Sequence, residues 1–389
     1  MKPKQPHLIF IGHEGSFSGA PILLLNLLRL VQDEVRVTLV VRADGPFVKE
    51  YEQYFPVLVL KPAHYGQGAA LHRLKKIAGH RLRMARLLAK TFTADLIFSN
   101  TIVNGKLLKT LAICKKPVVT YVHELDEVIK AYLPTGDASL TLQYSRRIAY
   151  PSLKVKQALQ TICQVPDAQL HPLSYYFPVA PALLENRAER TAFATAFRQR
   201  FGLEGATMLV GGMGLASDRK GTDIFIATCA QVAQVMPGIK FCWIGAFWTA
   251  GEEALYKKMV QDNGLEAQLV FTGPLPHHYY NAAAFDLFFL SSREDPYPLV
   301  VLEAALMGVP TVCFKEGGGI PEFVGENGGW VVPSLTAGAA AQTILALYAQ
   351  PEERRQKGQA ALQKCLALHA DPARVKAQFH AIIDPLLAL

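Results

Sequence analysis

The stretch Ser291–Glu322, SSREDPYPLVVLEAALMGVPTVCFKEGGGIPE, decides the fold of this chain. It follows an apolar run, Phe285–Leu290, that predicts a buried strand. A helix is predicted from about Leu299 to Met307, and Gly308 and Pro310 end it, the glycine as a left-handed cap and the proline as a stop. A buried strand followed by a capped helix indicates one unit of a parallel α/β sheet.

Two acids and a glycine cluster within this stretch indicate a ligand. Asp295 lies ahead of the predicted helix and Glu303 lies within it. At 1.5 Å rise per residue, roughly 12 Å separates them if the span is helical, which suits two ends of one ligand. Gly318 and Gly319 precede a helix start, where backbone N–H groups favour an anion. Carboxylates that take hydroxyls and N–H groups that take phosphate together indicate a nucleotide sugar.

The stretch also resembles the retaining glycosyltransferases of family 4, which have the GT-B fold. Their motif is an acid, seven residues and a Glu, followed by a helix of small residues, G-x-P and a Gly-Gly segment. Asp295 and Glu303 have that spacing. The usual first acid is Glu, and Glu294 is adjacent, so both remain candidates, with Asp295 favoured. The alternative, incidental surface acids on a strand–helix–strand unit, leaves the glycines and the spacing unexplained.

The length of 389 residues predicts two domains. Strand–helix alternation fades between Pro166 and Arg190, where prolines and charges predict a linker, and it restarts near Met208. We therefore expect an acceptor domain over residues 1–180 and a donor domain over 181–370. The resemblance implies two Rossmann-like parallel-sheet domains facing a central cleft, with a C-terminal helix in 371–389 packing back on the first domain.

In the first half, candidate side chains follow predicted strands. A strand over His7–Gly12 leads into a Gly/Ser loop, and the resemblance implies that Gly15 or Gly19 there approaches the donor phosphates. His123 ends another predicted strand; such a histidine alone is more often packed or exposed than functional, but the resemblance implies that it faces the donor sugar. Polar residues after a further strand are acceptor candidates: Asn100, Thr101 and Asn104.

In the second half, Arg219 and Lys220 lie in a glycine-flanked loop just before a predicted helix, a favourable anion site. The resemblance assigns Lys220 to the donor diphosphate, with Arg219 as a second cation. It also implies that Asp295 holds the sugar hydroxyls, and that Glu303 takes the ribose. The remaining donor candidates implied by the resemblance are Thr272, Gly273, Glu294, Leu299, Val300, Gly318 and Gly319.

The resemblance implies retention of configuration by front-face substitution, without a protein nucleophile. No D-x-D motif occurs, so we expect no metal and no cofactor, with Lys220 and Arg219 in place of a cation. The expected donor is a UDP-sugar or a GDP-sugar. The expected acceptor is a glycan or a lipid-linked molecule of cell-envelope polysaccharide synthesis.

Charge and cysteine usage bear on location. The six cysteines are scattered and the N-terminal apolar run is too short for a secretory signal, so we expect a cytoplasmic protein. Much of the net charge of +8 lies in residues 71–90, where leucines and isoleucines predict an apolar helix face. This segment either binds an anionic membrane surface, on the inner face of the cell membrane, or is merely a solvated helix face. No motif favours nucleic acid.

Two other functions remain open from the sequence. One is a nucleotide-sugar epimerase of the same architecture, which needs no acceptor. The other is a non-catalytic protein that binds sugars or a membrane surface. The second alternative implies a chain that has lost catalytic activity, and the presence of Lys220, Asp295 and Glu303 argues against it.

Overall fold

The structure is a computed structural model that describes residues 5–62, 70–179, 184–276 and 280–388, with side chains omitted for residues 70–76. It divides into two compact units, each treated separately below. Unit 1 comprises Met1–Pro178 together with Asp371–Leu389, and unit 2 comprises Val179–Ala370. The predicted boundary between residues 180 and 181 lies outside the described residues.

Unit 1 is built on a seven-stranded sheet of order β3-β2-β1-β4-β5-β6-β7, in which every pairing is parallel. The strands are β1 (His7–Glu14), β2 (Arg36–Ala43), β3 (Val57–Lys61), β4 (Leu96–Ser99), β5 (Val118–Tyr121), β6 (Arg147–Tyr150) and β7 (Leu170–Pro172). Helices cover both faces, which is why the central strands are continuous apolar runs. The predicted α/β class is confirmed here.

Unit 2 repeats the architecture with a six-stranded parallel sheet of order β10-β9-β8-β11-β12-β13. Its strands are β8 (Met208–Met213), β9 (Ile239–Ile244), β10 (Leu269–Gly273), β11 (Leu287–Leu290), β12 (Thr311–Phe314) and β13 (Gly329–Val332). Its main core lies between this sheet and flanking helices, with Phe225, Phe241 and Phe289 fully buried.

The helices connect consecutive strands and flank the two sheets. In unit 1 they are α1 (Gly19–Val31), α2 (Val48–Glu52), α3 (Ala70–Phe92), α4 (Gly105–Leu111), α5 (Asp126–Tyr132), α6 (Asp137–Tyr144) and α7 (Leu153–Cys163). In unit 2 they are α8 (Arg187–Arg200), α9 (Thr222–Val235), α10 (Ala250–Asp262), α11 (Tyr280–Ala283), α12 (Leu299–Leu306), α13 (Ile320–Val324), α14 (Ala337–Tyr348) and α15 (Pro351–Cys365). The final helix, α16 (Pro372–Leu387), belongs to unit 1. Within the described ranges, no helix is both long and apolar enough to cross a bilayer.

Each sheet has a point at which the strand order reverses direction. In unit 1 the chain moves outward from β1 to β3 and then returns to place β4 on the other side of β1. In unit 2 the reversal separates β8 from β11 in the same way. Loops diverge there at the carboxyl ends of the strands and leave a crevice, which is where open parallel sheets bind ligands.

The predicted linker begins too early. Leu170–Pro172 is a strand that pairs with β6, and Leu173, Tyr175 and Phe177 after it are buried. An edge strand tolerates proline because its outward N–H groups need no partner, so the prolines in this segment do not exclude a strand. The segment therefore belongs to unit 1 up to Pro178.

The C-terminal helix α16 packs within unit 1 through one apolar face, formed by Val375, Phe379, Ile382, Ile383 and Leu386, all buried. The ring of Phe379 lies 5.8 Å from that of Phe98 and 6.5 Å from that of Phe10. Arg147 on β6 adds a hydrogen bond of 2.7 Å to the carbonyl of Ala381. The helix thus completes the core on one side of the β1–β4 pair.

The basic helix α3 differs from its prediction. Leu87 is buried and Leu88 is half-buried, but Ile77 and Leu82 are 52% and 56% exposed. The predicted apolar residues therefore do not share one face, because each step of five residues turns about 140° and positions 77, 82 and 87 point in three different directions. The side chains of Arg73, Leu74, Lys75 and Lys76 lie outside the described part.

Candidate functional site

The first element of the unit 2 site is the loop between β8 and α9, which carries Arg219 and Lys220. Gly221 begins the helix in a left-handed conformation, with φ of +63°. A Cβ atom there would lie 2.0 Å from the carbonyl oxygen of Ser291. Only glycine fits this position, so the loop is held directly against the end of β11.

The second element is the loop after β11, which carries Glu294 and Asp295. The backbone of Asp295 forms a parallel bridge with Gly318, because Asp295 N donates to Gly317 O and Gly319 N donates to Asp295 O, each at 3.0 Å. A Cβ atom on Gly318, whose φ is +118°, would lie 1.8 Å from Asp295 O. The glycines thus allow a close backbone contact that fixes the acid loop.

Lys220 and Asp295 meet where these two loops adjoin. The Lys220 ammonium forms an ion pair with the Asp295 carboxylate, and the side chains are only 14% and 7% exposed. The pair therefore lies at the carboxyl ends of β8 and β11, at the reversal point of the sheet. Of the two adjacent acids, it is Asp295 that contacts Lys220.

The two arginines of this region hold the loops together. Arg219 donates to the carbonyl of Glu294 at 2.8 Å. Arg293 binds Asp223 with two hydrogen bonds, of 2.7 and 2.6 Å. Burial alone would raise the pKa of Asp223, but the bonds from Arg293 outweigh it and the pKa is lowered. The sequence prediction missed Arg293 and Asp223, which fasten the acid loop to the first turn of α9.

The remaining donor candidates are distributed along the same edge of the sheet. Glu303 is half-buried in the second turn of α12, and Leu299 and Val300 open that helix. Thr272 and Gly273 end β10, where Gly245 N donates to Gly273 O at 3.0 Å. The structure places all of them at carboxyl strand ends or in the helix that follows β11.

The structure differs from the prediction at Gly319. Its N–H group, expected to be available to a phosphate, donates to Asp295 O. The helix that it caps, α13, is only five residues long. The physical role of Gly318 and Gly319 in this state is therefore to brace the Asp295 loop.

Ser292 is a further polar group of the site that sequence reasoning missed. Its side-chain oxygen is buried and has no hydrogen-bond partner among the described residues. It follows β11, three positions ahead of Asp295. Buried hydroxyls almost always have partners, so this one is a candidate ligand contact.

Unit 1 has a cavity of about 180 Å³ at its own reversal point. Its walls come from the loop after β1, the ends of β4 and β5, and helix α5. The polar side chains that line it are His13, Glu14, Ser18, Asn100, Thr101, Glu124, Tyr51 and Tyr132. Hydroxyl, amide and carboxylate groups of this kind suit a hydroxylated ligand.

Glu124 is the carboxylate held most firmly in this cavity. It accepts hydrogen bonds from the Thr101 hydroxyl, from Ile102 N at 3.3 Å and from His123 N at 2.9 Å. Burial raises the pKa of Glu124, and these three bonds only partly oppose that effect. The prediction included Thr101 but missed Glu124, because pairing them requires β4 and β5 to be neighbours.

His123 lies two residues beyond β5 in a closed network. Asn100 donates its amide N–H to Ala20 O at 3.0 Å, so its side-chain oxygen faces His123 Nε2 at 2.9 Å. That arrangement puts the ring proton on Nε2 and leaves Nδ1 to accept from the Tyr175 hydroxyl at 3.2 Å. Burial lowers the pKa of His123 to about 3, so the ring is neutral at physiological pH.

The other candidates in unit 1 have structural contacts. Gly15 is buried, and a Cβ atom there would lie 2.5 Å from Val48 Cγ2. Gly19 is half-buried at the first position of α1. Asn104 is fully buried, donates to Ser99 Oγ at 3.0 Å and accepts from Arg42 at 3.1 Å. Asn104 is thus turned into the fold and not toward an acceptor.

Comparisons with known proteins agree with this arrangement. Residues 195–364 match the family model described as glycosyl transferases group 1. The chain is similar to a D-inositol 3-phosphate glycosyltransferase of Segniliparus rotundus, with 26% identity over 258 residues, which cover 63% of this chain and 56% of that relative. It is also similar to mannosylfructose-phosphate synthase of Agrobacterium fabrum, with 32% identity over 152 residues, 36% of this chain and 32% of that one. The matches thus span about half or less of these relatives.

Among solved structures, Anabaena HepE in complex with UDP-glucose superposes with a TM-score of 0.80 at 20% identity, covering 98% of this chain and 100% of that one. At this identity the similarity bears on the fold alone. The predicted GT-B fold is confirmed.

Proposed function

We propose that this chain, whose residues 195–364 match the model of the group 1 glycosyl transferases, transfers a sugar from a nucleoside-diphosphate sugar to a hydroxyl acceptor. The observation that carries the proposal is the Lys220–Asp295 pair at the reversal point of the unit 2 sheet. A lysine that binds phosphate and a carboxylate that binds hydroxyls are the two recognition groups that a sugar diphosphate requires.

The ion pair suggests how the donor would be bound. Without ligand, each charge neutralises the other in a site with little access to water. A diphosphate would take over the Lys220 ammonium, and Asp295 would then accept hydrogen bonds from the sugar hydroxyls. As the nucleotide leaves, negative charge grows on its phosphate, and the positive charge of Lys220 offsets that growth. Arg219 adds a second positive charge while its side chain holds the Glu294 backbone.

The finer assignments follow the resemblance. Glu303 would accept from the ribose hydroxyls, with Leu299 and Val300 beside it, and the backbone of Thr272 and Gly273 would meet the base. Donor glucose on UDP is supported by the complex of HepE with UDP-glucose. We propose retention of configuration without a protein nucleophile and without a metal, in keeping with the absence of a D-x-D motif.

The cavity of unit 1 is the proposed acceptor site. Its carboxylates Glu14 and Glu124 would accept hydrogen bonds from sugar or polyol hydroxyls, and Thr101 would hold Glu124 in place. His123, which the resemblance assigns to the donor sugar, is neutral and bonded at both ring nitrogens, so it would position neighbouring groups and not act as a general acid. These groups suit a glycan or lipid-linked acceptor of cell-envelope polysaccharide synthesis. The six free cysteines support a cytoplasmic location for the reaction.

The test is a thermal-shift screen of the whole chain with UDP, GDP, ADP, CMP and their sugar conjugates, without added metal. Ligand at about 100 times its dissociation constant adds roughly 2.7 kcal/mol of stability. We expect one nucleoside diphosphate to stabilise the chain selectively and Lys220→Gln to abolish that shift. Lys240→Gln is the matched control, because within the described part of the chain Lys240 bonds to a backbone carbonyl, Gly202 O, at 3.0 Å and to no carboxylate.

The screen also separates the competing functions. Stabilisation by no nucleotide would contradict the transferase proposal and favour a non-catalytic binding protein. Selective binding followed by conversion of the donor to its epimer, with no acceptor present, would favour an epimerase. Equal stabilisation of the Lys220→Gln variant would remove Lys220 from the phosphate site.

A further inference from the structure

His369 is a buried side chain near the end of unit 2 that has no part in the donor site described so far. It is only 3% exposed, and it lies in the π-helical turn Leu366–Ala370, which follows α15. Such turns are rare, and they occur frequently at functional sites. The contacts of His369 lead from this turn to the loop that carries Asp295.

The hydroxyl of Tyr297 links His369 to that loop. It shares a hydrogen bond of 3.1 Å with His369 Nε2, and Tyr297 is two positions beyond Asp295 in the chain. Both side chains are buried. Burial raises the pKa of Tyr297 well above its ordinary value, so the phenol keeps its proton. Because water barely reaches this bond, it fixes the loop more firmly than a bond at the surface would.

His369 also contacts the second segment that braces Asp295. Phe323 lies on α13, the helix that follows the glycines bonded to the Asp295 backbone. Its ring lies 5.9 Å from that of His369 and 6.4 Å from that of Tyr297, and the His369 and Tyr297 rings are 5.4 Å apart. Tilted and edge-on ring pairs at these distances are stabilising. The three rings therefore connect the acid loop, α13 and the π-helical turn in one buried cluster.

We propose that His369 is a positioning residue for the donor sugar, because it holds the Asp295 loop in place through Tyr297 while the sugar is bound. The inference rests on the proposed function, in which Lys220 leaves Asp295 to bind the diphosphate. The ion pair that ties Asp295 to the loop after β8 is then lost, whereas the bond between Tyr297 and His369 remains. The sugar, which meets Asp295, depends on that bond, and the diphosphate, which meets Lys220, does not.

The test is calorimetric titration of the full chain with UDP and GDP and with UDP-glucose, UDP-galactose and GDP-mannose. We expect His369→Leu and Tyr297→Phe each to weaken binding of the preferred sugar nucleotide about fivefold, a typical effect for a residue that acts without touching the ligand. Binding of the free nucleoside diphosphate should be unchanged. The double variant should bind no more weakly than either single variant, because both changes remove the same bond. His369→Gln, whose amide can bond to the Tyr297 hydroxyl, should retain most of the affinity.

Tyr280→Phe on α11 is the matched control, because Tyr280 is another buried tyrosine of unit 2 and its hydroxyl contacts Glu189 of α8 at 3.5 Å. It should leave both affinities unchanged, and thermal unfolding verifies that each variant is folded. If His369→Leu and Tyr297→Phe keep full affinity for the sugar nucleotide, or lose affinity for the free diphosphate to the same extent, the positioning role is wrong while the proposed function stands. If the unaltered chain binds none of the five ligands, the proposed function fails and this inference fails with it.

Discussion

Lys220 and Asp295 form an ion pair that water barely reaches, and this burial has a physical consequence for both states of the site. Removing one partner of a buried pair leaves the other charge uncompensated, which typically costs about 3–5 kcal/mol. Each of the two charges is therefore compensated by the other when no ligand is bound. A ligand phosphate can also replace the Asp295 carboxylate as the partner of Lys220, because the lysine charge then stays paired.

Ser292, three positions ahead of Asp295 in the chain, has a buried hydroxyl without a partner among the described residues. We predict that Ser292→Ala leaves the free energy of unfolding unchanged or raises it by up to about 1 kcal/mol, because a buried hydroxyl without a partner is itself unfavourable. We predict that the same change weakens the binding of the best nucleotide of the screen about tenfold, through loss of one hydrogen bond. Denaturant unfolding and calorimetric titration measure the two effects.

The control for Ser292 is Thr228→Val on α9, whose hydroxyl is also buried without a described partner. It should have a similar effect on stability and none on nucleotide binding. A loss of stability in Ser292→Ala, or unchanged nucleotide affinity, would contradict the assignment of Ser292 to the ligand site.

At the scale of elements, the sequence predicted most strands but not their order. The predicted strands Phe285–Leu290 and His7–Gly12 correspond to β11 and β1, because each is a short apolar run followed by a loop. The sequence assigned Lys220 and Asp295 to the same sugar donor, but it did not predict the ion pair between them. They are 75 positions apart and meet only because β11 is inserted next to β8.

The misses have the same origin. Leu170–Pro172 was assigned to a linker because its prolines are typical of one, and only its pairing with β6 identifies it as a strand. Glu124 and Thr101 follow different strands, so the hydrogen bond between them depends on the sheet order.

Helix α16 is held to the rest of unit 1 partly by a cluster of titratable groups. Glu34 at the end of α1 contacts Lys376 Nζ at 2.6 Å and His380 Nε2 at 2.7 Å, and Asp384 contacts His380 Nδ1 at 3.1 Å. Burial would lower the pKa of His380, but its bonds to Glu34 and Asp384 outweigh burial and the pKa is raised. The protonated imidazole therefore stabilises the docked helix.

The sign of the pH dependence follows from that shift. The contribution of His380 is fully present below about pH 6.5, its ordinary pKa, and is lost as the pH rises through the higher folded-state value. Because His380 is 35% exposed, screening limits the effect to about 0.5–1 kcal/mol. Unfolding midpoints between about pH 6 and 9 should fall accordingly.

The variant His380→Gln should remove this part of the pH dependence. If the unfolding midpoint falls equally steeply with pH in the unaltered chain and in His380→Gln, other groups cause the pH dependence. The ion pair of Lys376 with Glu34 is present in both proteins.

At the scale of the whole molecule, both units have the same construction, and each has a candidate site of its own. Each has an open parallel sheet, and in each the candidate groups gather where the strand order reverses. The unit 2 site offers a cation and a carboxylate, which suit a sugar diphosphate. The unit 1 cavity is lined by hydroxyl, amide and carboxylate groups, which suit an acceptor with hydroxyls.

Each unit also has its own hydrophobic core, and this leads to a prediction about unfolding. Phe379 of α16 is fully buried against Phe10 and Phe98 in unit 1, and Phe289 is buried against Phe225 and Phe314 in unit 2. Truncating a buried phenylalanine to alanine costs about 3–5 kcal/mol. Phe379→Ala should therefore destabilise unit 1 and Phe289→Ala should destabilise unit 2 by similar amounts.

Scanning calorimetry with and without the best nucleotide distinguishes the two units. A ligand stabilises only the unit that binds it, so the nucleotide should raise the transition of unit 2. In Phe379→Ala the nucleotide-sensitive transition should keep its midpoint while the other falls, and in Phe289→Ala the reverse should hold. One transition that shifts as a whole in both variants would mean that the units unfold together and that the separate cores do not define separate folding units.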